Sequence, residues 1–143
     1  MNWTIKTFDQ LISKEIYEIL RSRAEVFVKE QRISYVDPDG VDYKSWHVFA
    51  TENDKVCAYL RAFKDGDDTI KIGRVLTLIH GKGTGTQLMK YAISELKAKT
   101  DCKKIIMDAQ SHAISFYQRL GFTITSEEYL EEGIPHVDME LTL

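Results

Sequence analysis

Apolar and polar positions along this chain follow two rhythms in turn. Residues 3–8 (WTIKTF) change side at every step, the period of a half-buried strand. Over residues 13–27 the period lengthens. Ile16, Ile19, Leu20 and Phe27 fall on one helical face, with Ser13 placed to cap its start. Residues 34–45 (SYVDPDGVDYKS) break both patterns with a Pro-Asp-Gly turn and read as a loop. Extended patterning returns over 46–51 and 55–64, a hairpin turning at Glu52-Asn53-Asp54, and a second tight turn follows at Asp65-Gly66-Asp67-Asp68. Residues 69–77 form the next strand. Leu88, Met89, Ala92, Ile93 and Leu96 then recur at helical spacing, so 83–98 is an amphipathic helix with Lys90, Glu95, Lys97 and Lys99 on its solvated side. A buried strand at 104–109, a helix at 112–120 and strands at 122–128 and 137–143 complete the series. Strands alternating with helices predict an α/β sandwich, and 143 residues suit one domain, 1–143.

Composition narrows the class. Hydrophobic residues make up 43%, enough for a packed core. A net charge of −3 gives no reason to expect nucleic acid or an anionic membrane as partner. No apolar run reaches the ~20 residues of a spanning helix, and the N-terminus lacks a signal-peptide core, so the expected location is cytoplasmic. Cys57 and Cys102 then read as buried thiols rather than a disulfide. The four histidines show no metal-ligand spacing, and no metal is expected. The acidic set Asp37, Asp39 and Asp42 lacks the offsets of a calcium loop.

The junction between strand 69–77 and helix 83–98 carries the chemistry. His80-Gly81-Lys82-Gly83-Thr84-Gly85 is a glycine-rich turn opening a helix. Such a turn leaves backbone N–H groups free at the positive end of the helix dipole, where a phosphate is favoured. Lys82 precedes Gly83, which excludes a Walker A loop, and the G-x-G-x-G spacing is not a dinucleotide fingerprint.

A second segment, KIIMDAQSHAISFYQRLGF (residues 104–122), joins this turn. The pair resembles the GNAT superfamily of acyl-CoA-dependent N-acetyltransferases, whose phosphate loop reads [QR]-x-x-G-x-[GA] and whose later helix ends in A-x-x-F-Y-x-x-x-G-F. Ala113, Phe116, Tyr117, Gly121 and Phe122 complete the second pattern, and His80 stands at the leading position of the first. Residues 20–42, the Ile72-Gly73-Arg74-Val75 run and Glu132-Gly133-Ile134-Pro135-His136 are similar to the ElaA-type branch. The link from Arg74-Val75 to the glycine turn is about two residues shorter than in that pattern.

The resemblance implies the GNAT fold, a three-layer α/β arrangement in which a mixed six- or seven-stranded sheet carries helices on both faces and splays between its fourth and fifth strands. It implies acetyl-CoA as cosubstrate. The cofactor contacts would be the strand end at Val75, Leu76 and Thr77, the turn at His80, Gly81, Lys82, Gly83, Thr84 and Gly85, and Gln110 and Phe116. Tyr117 would protonate the departing thiolate. The base that frees the amine would come from His136 or Glu128, with Glu30, His47 and Glu132 as further candidates and Gln31 beside Glu30. A histidine titrates near neutrality, which suits that task. The acceptor would be a small-molecule or peptide amine, and the protein a monomer or homodimer. A non-catalytic acyl-CoA-binding module and a nucleotide-binding protein are the competing classes.

Overall fold

The computed structural model describes residues 1–32 and 36–143. The element order is β1 (Asn2–Thr7), α1 (Ser13–Arg23), β2 (Trp46–Glu52), β3 (Lys55–Lys64), β4 (Thr69–Thr77), α2 (Thr84–Lys99), β5 (Lys104–Gln110), α3 (Ile114–Arg119), β6 (Thr123–Ile124), β7 (Tyr129–Glu131) and β8 (Ile134–Thr142). The strands form one mixed sheet in the order β1-β2-β3-β4-β5-β8-β6, with β7 on β8. Among the described strands only β4 and β5 run parallel, joined by the α2 crossover.

The sheet has eight described strands rather than six or seven, because the segment expected as one strand at 122–128 divides. Ser126 Oγ accepts a bond from the Asp138 N–H at 2.9 Å, taking over a backbone pairing and separating β6 from β7. Strand β8 begins at Ile134, earlier than the expected 137, since the two-residue turn Glu132-Gly133 folds β7 directly onto it. Both turn residues have positive φ, 51° and 74°, the geometry of a type I′ hairpin. The β2–β3 hairpin turns the same way at Asn53 and Asp54. The helix expected over 13–27 keeps α-geometry to Arg23 and then widens into π-helical turns over Ala24–Glu30. Ser13 lies inside the helix rather than capping it. The Glu15 carboxylate closes the helix start instead, accepting the Ile12 N–H at 2.9 Å.

Strand alternation divides the core into two. On one face Ala58, Leu60, Ile70, Ile105 and Met139 pack beneath Leu88, Met89 and Leu96 of α2. Each such large side chain contributes about 1.5–3 kcal/mol by leaving water. On the other face Phe49, Tyr59 and Leu76 meet Ile19, Val26 and Phe27. Cys57 and Cys102 are both buried free thiols.

The acidic loop is an ion-pair anchor. Arg23 is fully buried, with Nε on Asp37 (2.9 Å) and Nη1 on Asp42 (2.7 Å). Arg61 makes a forked pair with Asp39 at 2.7 and 2.8 Å and reaches Asp42 at 3.2 Å. Arg74 bonds Asp37 and Asp39. Three arginines and three aspartates thus pin the described part of the 34–45 loop across β3 and β4; its residues 34 and 35 lie outside the described set.

This network makes stability depend on acid. Hydrogen bonds and charge from Arg61 hold the Asp39 carboxyl well below the usual range. Burial alone would raise Asp42, but Arg23 and Arg61 more than offset it and hold that group down as well. A folded-state pKa below the unfolded one gives stability that is present above about pH 4 and lost as pH falls through the folded values. Urea denaturation from pH 6 to pH 2.5 should therefore show a falling unfolding free energy below pH 4. Asp39→Asn should be less stable at pH 6 and lose part of that slope.

Candidate active site

The parallel pairing of β4 and β5 covers only Thr69–Ile72 against Lys104–Met107. Both strands run on, β4 to Thr77 and β5 to Gln110. Beyond Ile72 the two separate, and the edge of β4 facing β5 is left without a β5 partner. A bulge contributes: between Tyr59 and Arg61 the β3–β4 register shifts, opposite Arg74 at φ 52°. The expected splay between the fourth and fifth strands is present.

The glycine turn closes one end of this gap. Gly81 and Gly83 sit at φ 75° and 72°, a region that costs side-chain-bearing residues energy and glycine almost none. Gly83 is the N-cap of α2, and no side chain bonds the N–H groups of the first turn, where no acid lies either. Thr84 is buried there; His80 and Lys82 are exposed beside it. A Cβ on Gly85 would sit 3.4 Å from the Phe116 ring and 3.8 Å from the Thr77 methyl. Strand end, helix start and α3 therefore meet at one point. Leu76 is buried in the second core, so its side chain packs and only its backbone can serve a ligand.

The other end opens into a cleft of about 600 Å³. Val75, Tyr117 and His136 line it, as do Gln31 and Glu132. Tyr117 is 6% exposed, its ring set edge-on to Phe116 and Phe122. Its hydroxyl has no hydrogen-bond partner among the described residues. Burial pushes its pKa up to about 12, so it stays a proton donor at neutral pH.

His136, also 6% exposed, is oriented by its own strand. Nδ1 lies 2.7 Å from the Ile134 carbonyl and so carries the proton. That turns Nε2 toward the Glu131 carboxylate, whose Oε2 is 3.4 Å away. Tyr129 stacks on the ring and donates to Asp138 at 2.6 Å.

A family model decides the family. The acetyltransferase (GNAT) domain family matches residues 6–143. The chain belongs to the GNAT acetyltransferases. It is similar, at 35% identity over all of this chain and 98% of the relative, to UPF0039 protein C11D3.02c of Schizosaccharomyces pombe. Protein ElaA of Escherichia coli K12 is 34% identical over 97% of this chain and 95% of ElaA. The crystal structure of E. coli ElaA superposes with a TM-score of 0.92, covering 98% of each chain. An acyl-CoA N-acyltransferase from Pseudomonas aeruginosa also superposes at 0.92, with 34% identity and 99% of each chain covered.

Within this GNAT site several expected residues take other work. Glu128 is not among the cleft-lining residues; it accepts the Ser111 hydroxyl at 2.8 Å on the surface. Gln110 spends its amide between Gln31 (3.1 Å) and His112 (2.6 Å). His47 is structural: it is buried, with Nε2–H on the Asp42 carbonyl and Nδ1 accepting from Tyr59, and burial lowers its pKa. Glu30 is exposed at the end of the π-helical turns. The residue that sequence reasoning missed is Glu131. Its adjacency to His136 exists only once the β7–β8 hairpin forms. Among the described residues no group of acids, histidines and cysteines is arranged to hold a metal ion, and no helix is long and apolar enough to cross a membrane.

Proposed function

We propose that this GNAT chain is an acetyl-CoA-dependent N-acetyltransferase that moves the acetyl group directly to an amine. One observation carries the reading: the β4–β5 pairing stops at Ile72 and Met107, and the strand ends beyond it line a cleft with Tyr117 and His136, while Gly85 of the glycine turn lies against Thr77 and Phe116. The turn suits the pyrophosphate, since its N–H groups are uncapped and its glycines leave the backbone approachable. The free backbone edge at Val75–Thr77 suits the amides of the pantetheine arm, which would pair with it as an added strand. A groove of about 370 Å³ between α2 and α3, rimmed by Lys90, Lys97 and Arg119, suits the phosphoadenosine end.

In this reading the acceptor sheds one proton and its lone pair attacks the thioester carbonyl carbon. Backbone N–H groups of the β4 end stabilise the oxyanion. His136 Nε2 takes the second amine proton, and Glu131 supports the imidazolium. The C–S bond breaks, and the thiolate takes the Tyr117 proton, which solvent restores.

The turn provides the test. A Cβ on Gly83 would meet nothing within 4 Å, so Gly83→Val costs only the strain of positive φ, roughly 1–3 kcal/mol. Its methyls would occupy the space a phosphate needs. Acetyl-CoA at about 100 times Kd should stabilise the wild-type protein by about 2.7 kcal/mol. The folded Gly83→Val protein should show no such shift. Unchanged calorimetric affinity for CoA in that variant would overturn the phosphate reading.

A further inference from the structure

The charges lining the acceptor cleft are not matched one for one. Three basic side chains border it, and aspartates hold all three. Arg61 is forked on Asp39, and its unpaired Nε is sealed from solvent. Arg74 lies on Asp37 and Asp39, and Lys71 on Asp108 at 3.1 Å. The remaining acids of the cleft, Glu131 and Glu132, stand together at the tip of the β7–β8 hairpin. Glu131 has only His136 beside it, and Glu132 has no basic partner among the described residues.

The surrounding groups deepen this bias. Asp138 faces Asp108 directly across β5 and β8. The Tyr129 phenol is held far above its ordinary range by burial, by its bond to Asp138, and by the negative charge of Asp108 and Glu131. One observation independent of these acids points to a ligand in the cleft: Tyr117, which lines it, is more than nine-tenths buried, and its hydroxyl has no hydrogen-bond partner among the described residues. One wall is apolar, formed by Phe27, Val36, Phe63 and Val75.

The reacting amine must lose its charge before it attacks, and Glu131 is committed to that proton transfer through His136. The second carboxylate, Glu132, suits a charge that persists through the reaction. Resting on the reading that His136 and Tyr117 flank the reacting nitrogen, we infer that the acceptor is a dication. It is a linear α,ω-diamine or close relative whose alkyl chain lies on the apolar wall and whose second ammonium group is held by Glu132. An acceptor with a carboxylate at that end would meet the like charges of Glu131 and Glu132.

Three probes of equal length separate the possibilities: 1,5-diaminopentane, n-pentylamine and 5-aminopentanoate, with acetyl-CoA and CoA thiol release as readout. The diamine should exceed pentylamine in kcat/KM by about fivefold, the ratio an exposed ion pair of usual strength gives. The amino acid should be the poorest of the three. The diamine-to-pentylamine ratio should fall toward one in Glu132→Gln and at high salt. Glu132→Lys should reverse the preference toward 5-aminopentanoate. A diamine no better than pentylamine, or a ratio unchanged in both variants, overturns the inference. Calorimetry of the same probes on the CoA-bound protein reads the preference without turnover. If no probe is acetylated but the diamine binds best, the catalytic reading fails while the acceptor inference stands.

Discussion

Tyr117→Phe should lower kcat on an accepted amine by about 10²-fold or more, the usual contribution of a positioned general acid. The KM for acetyl-CoA should change little, because the lost bond belongs to the transition state. The variant should melt close to the wild-type temperature. The ring is buried between Phe116 and Phe122, and a phenylalanine keeps that packing. The hydroxyl bonds no described residue, so removing it orphans nothing. A steady-state assay and a thermal melt on the same preparation separate the two roles. A wild-type kcat would remove Tyr117 from the mechanism and leave the β4 backbone as the main catalytic element. A large loss of stability would mean that the hydroxyl serves the fold.

Arg23→Met should be the most destabilising single change in the ion-pair network, by about 3–5 kcal/mol. Methionine matches the arginine stem but removes the buried cation that joins the two acids, leaving Asp37 with Arg74 and Asp42 with Arg61. It also removes the guanidinium that lies 5.7 Å over the Tyr59 ring. The melting temperature should fall by roughly 10 °C or more, scaling the loss by the entropy of a domain this size. Arg21→Ala is the comparison. Arg21 pairs with Glu18 and Glu25 on a partly exposed helix face, so its loss should cost about 1 kcal/mol or less. Equal melting temperatures for the two variants would show that the network does not anchor the fold.

The glycine turn and the Phe116-Tyr117 segment were readable because their chemistry is local. A turn that needs positive φ at 81 and 83 announces itself as glycine, and the helix that follows announces itself by spacing. The β2–β3 hairpin was readable for the same reason. The β7–β8 hairpin was hidden, since glutamate is a poor residue for the first position of its turn. The divided strand at 122–128 was hidden because a serine side chain, not a backbone break, ends the pairing. The π-helical turns at Ala24–Glu30 keep Val26 and Phe27 buried while changing the winding, which apolar spacing alone does not register.

By itself, then, the sequence determined most of the elements and their order, the family resemblance, the glycine turn at 80–85 and the helical segment that carries Tyr117. Each rests on residues within about one helical turn or hairpin of one another. Only the tertiary structure decided which charges are spent. Asp37, Asp39 and Asp42 are committed to arginines 14 to 37 positions away. Gln110 is committed to Gln31, 79 positions away, and Glu131 is brought to His136 by the β7–β8 hairpin. A charged side chain reads the same in sequence whether paired or not. Its availability to a ligand is set by partners that long-range folding brings within about 3 Å, where desolvation and Coulomb attraction fix its role.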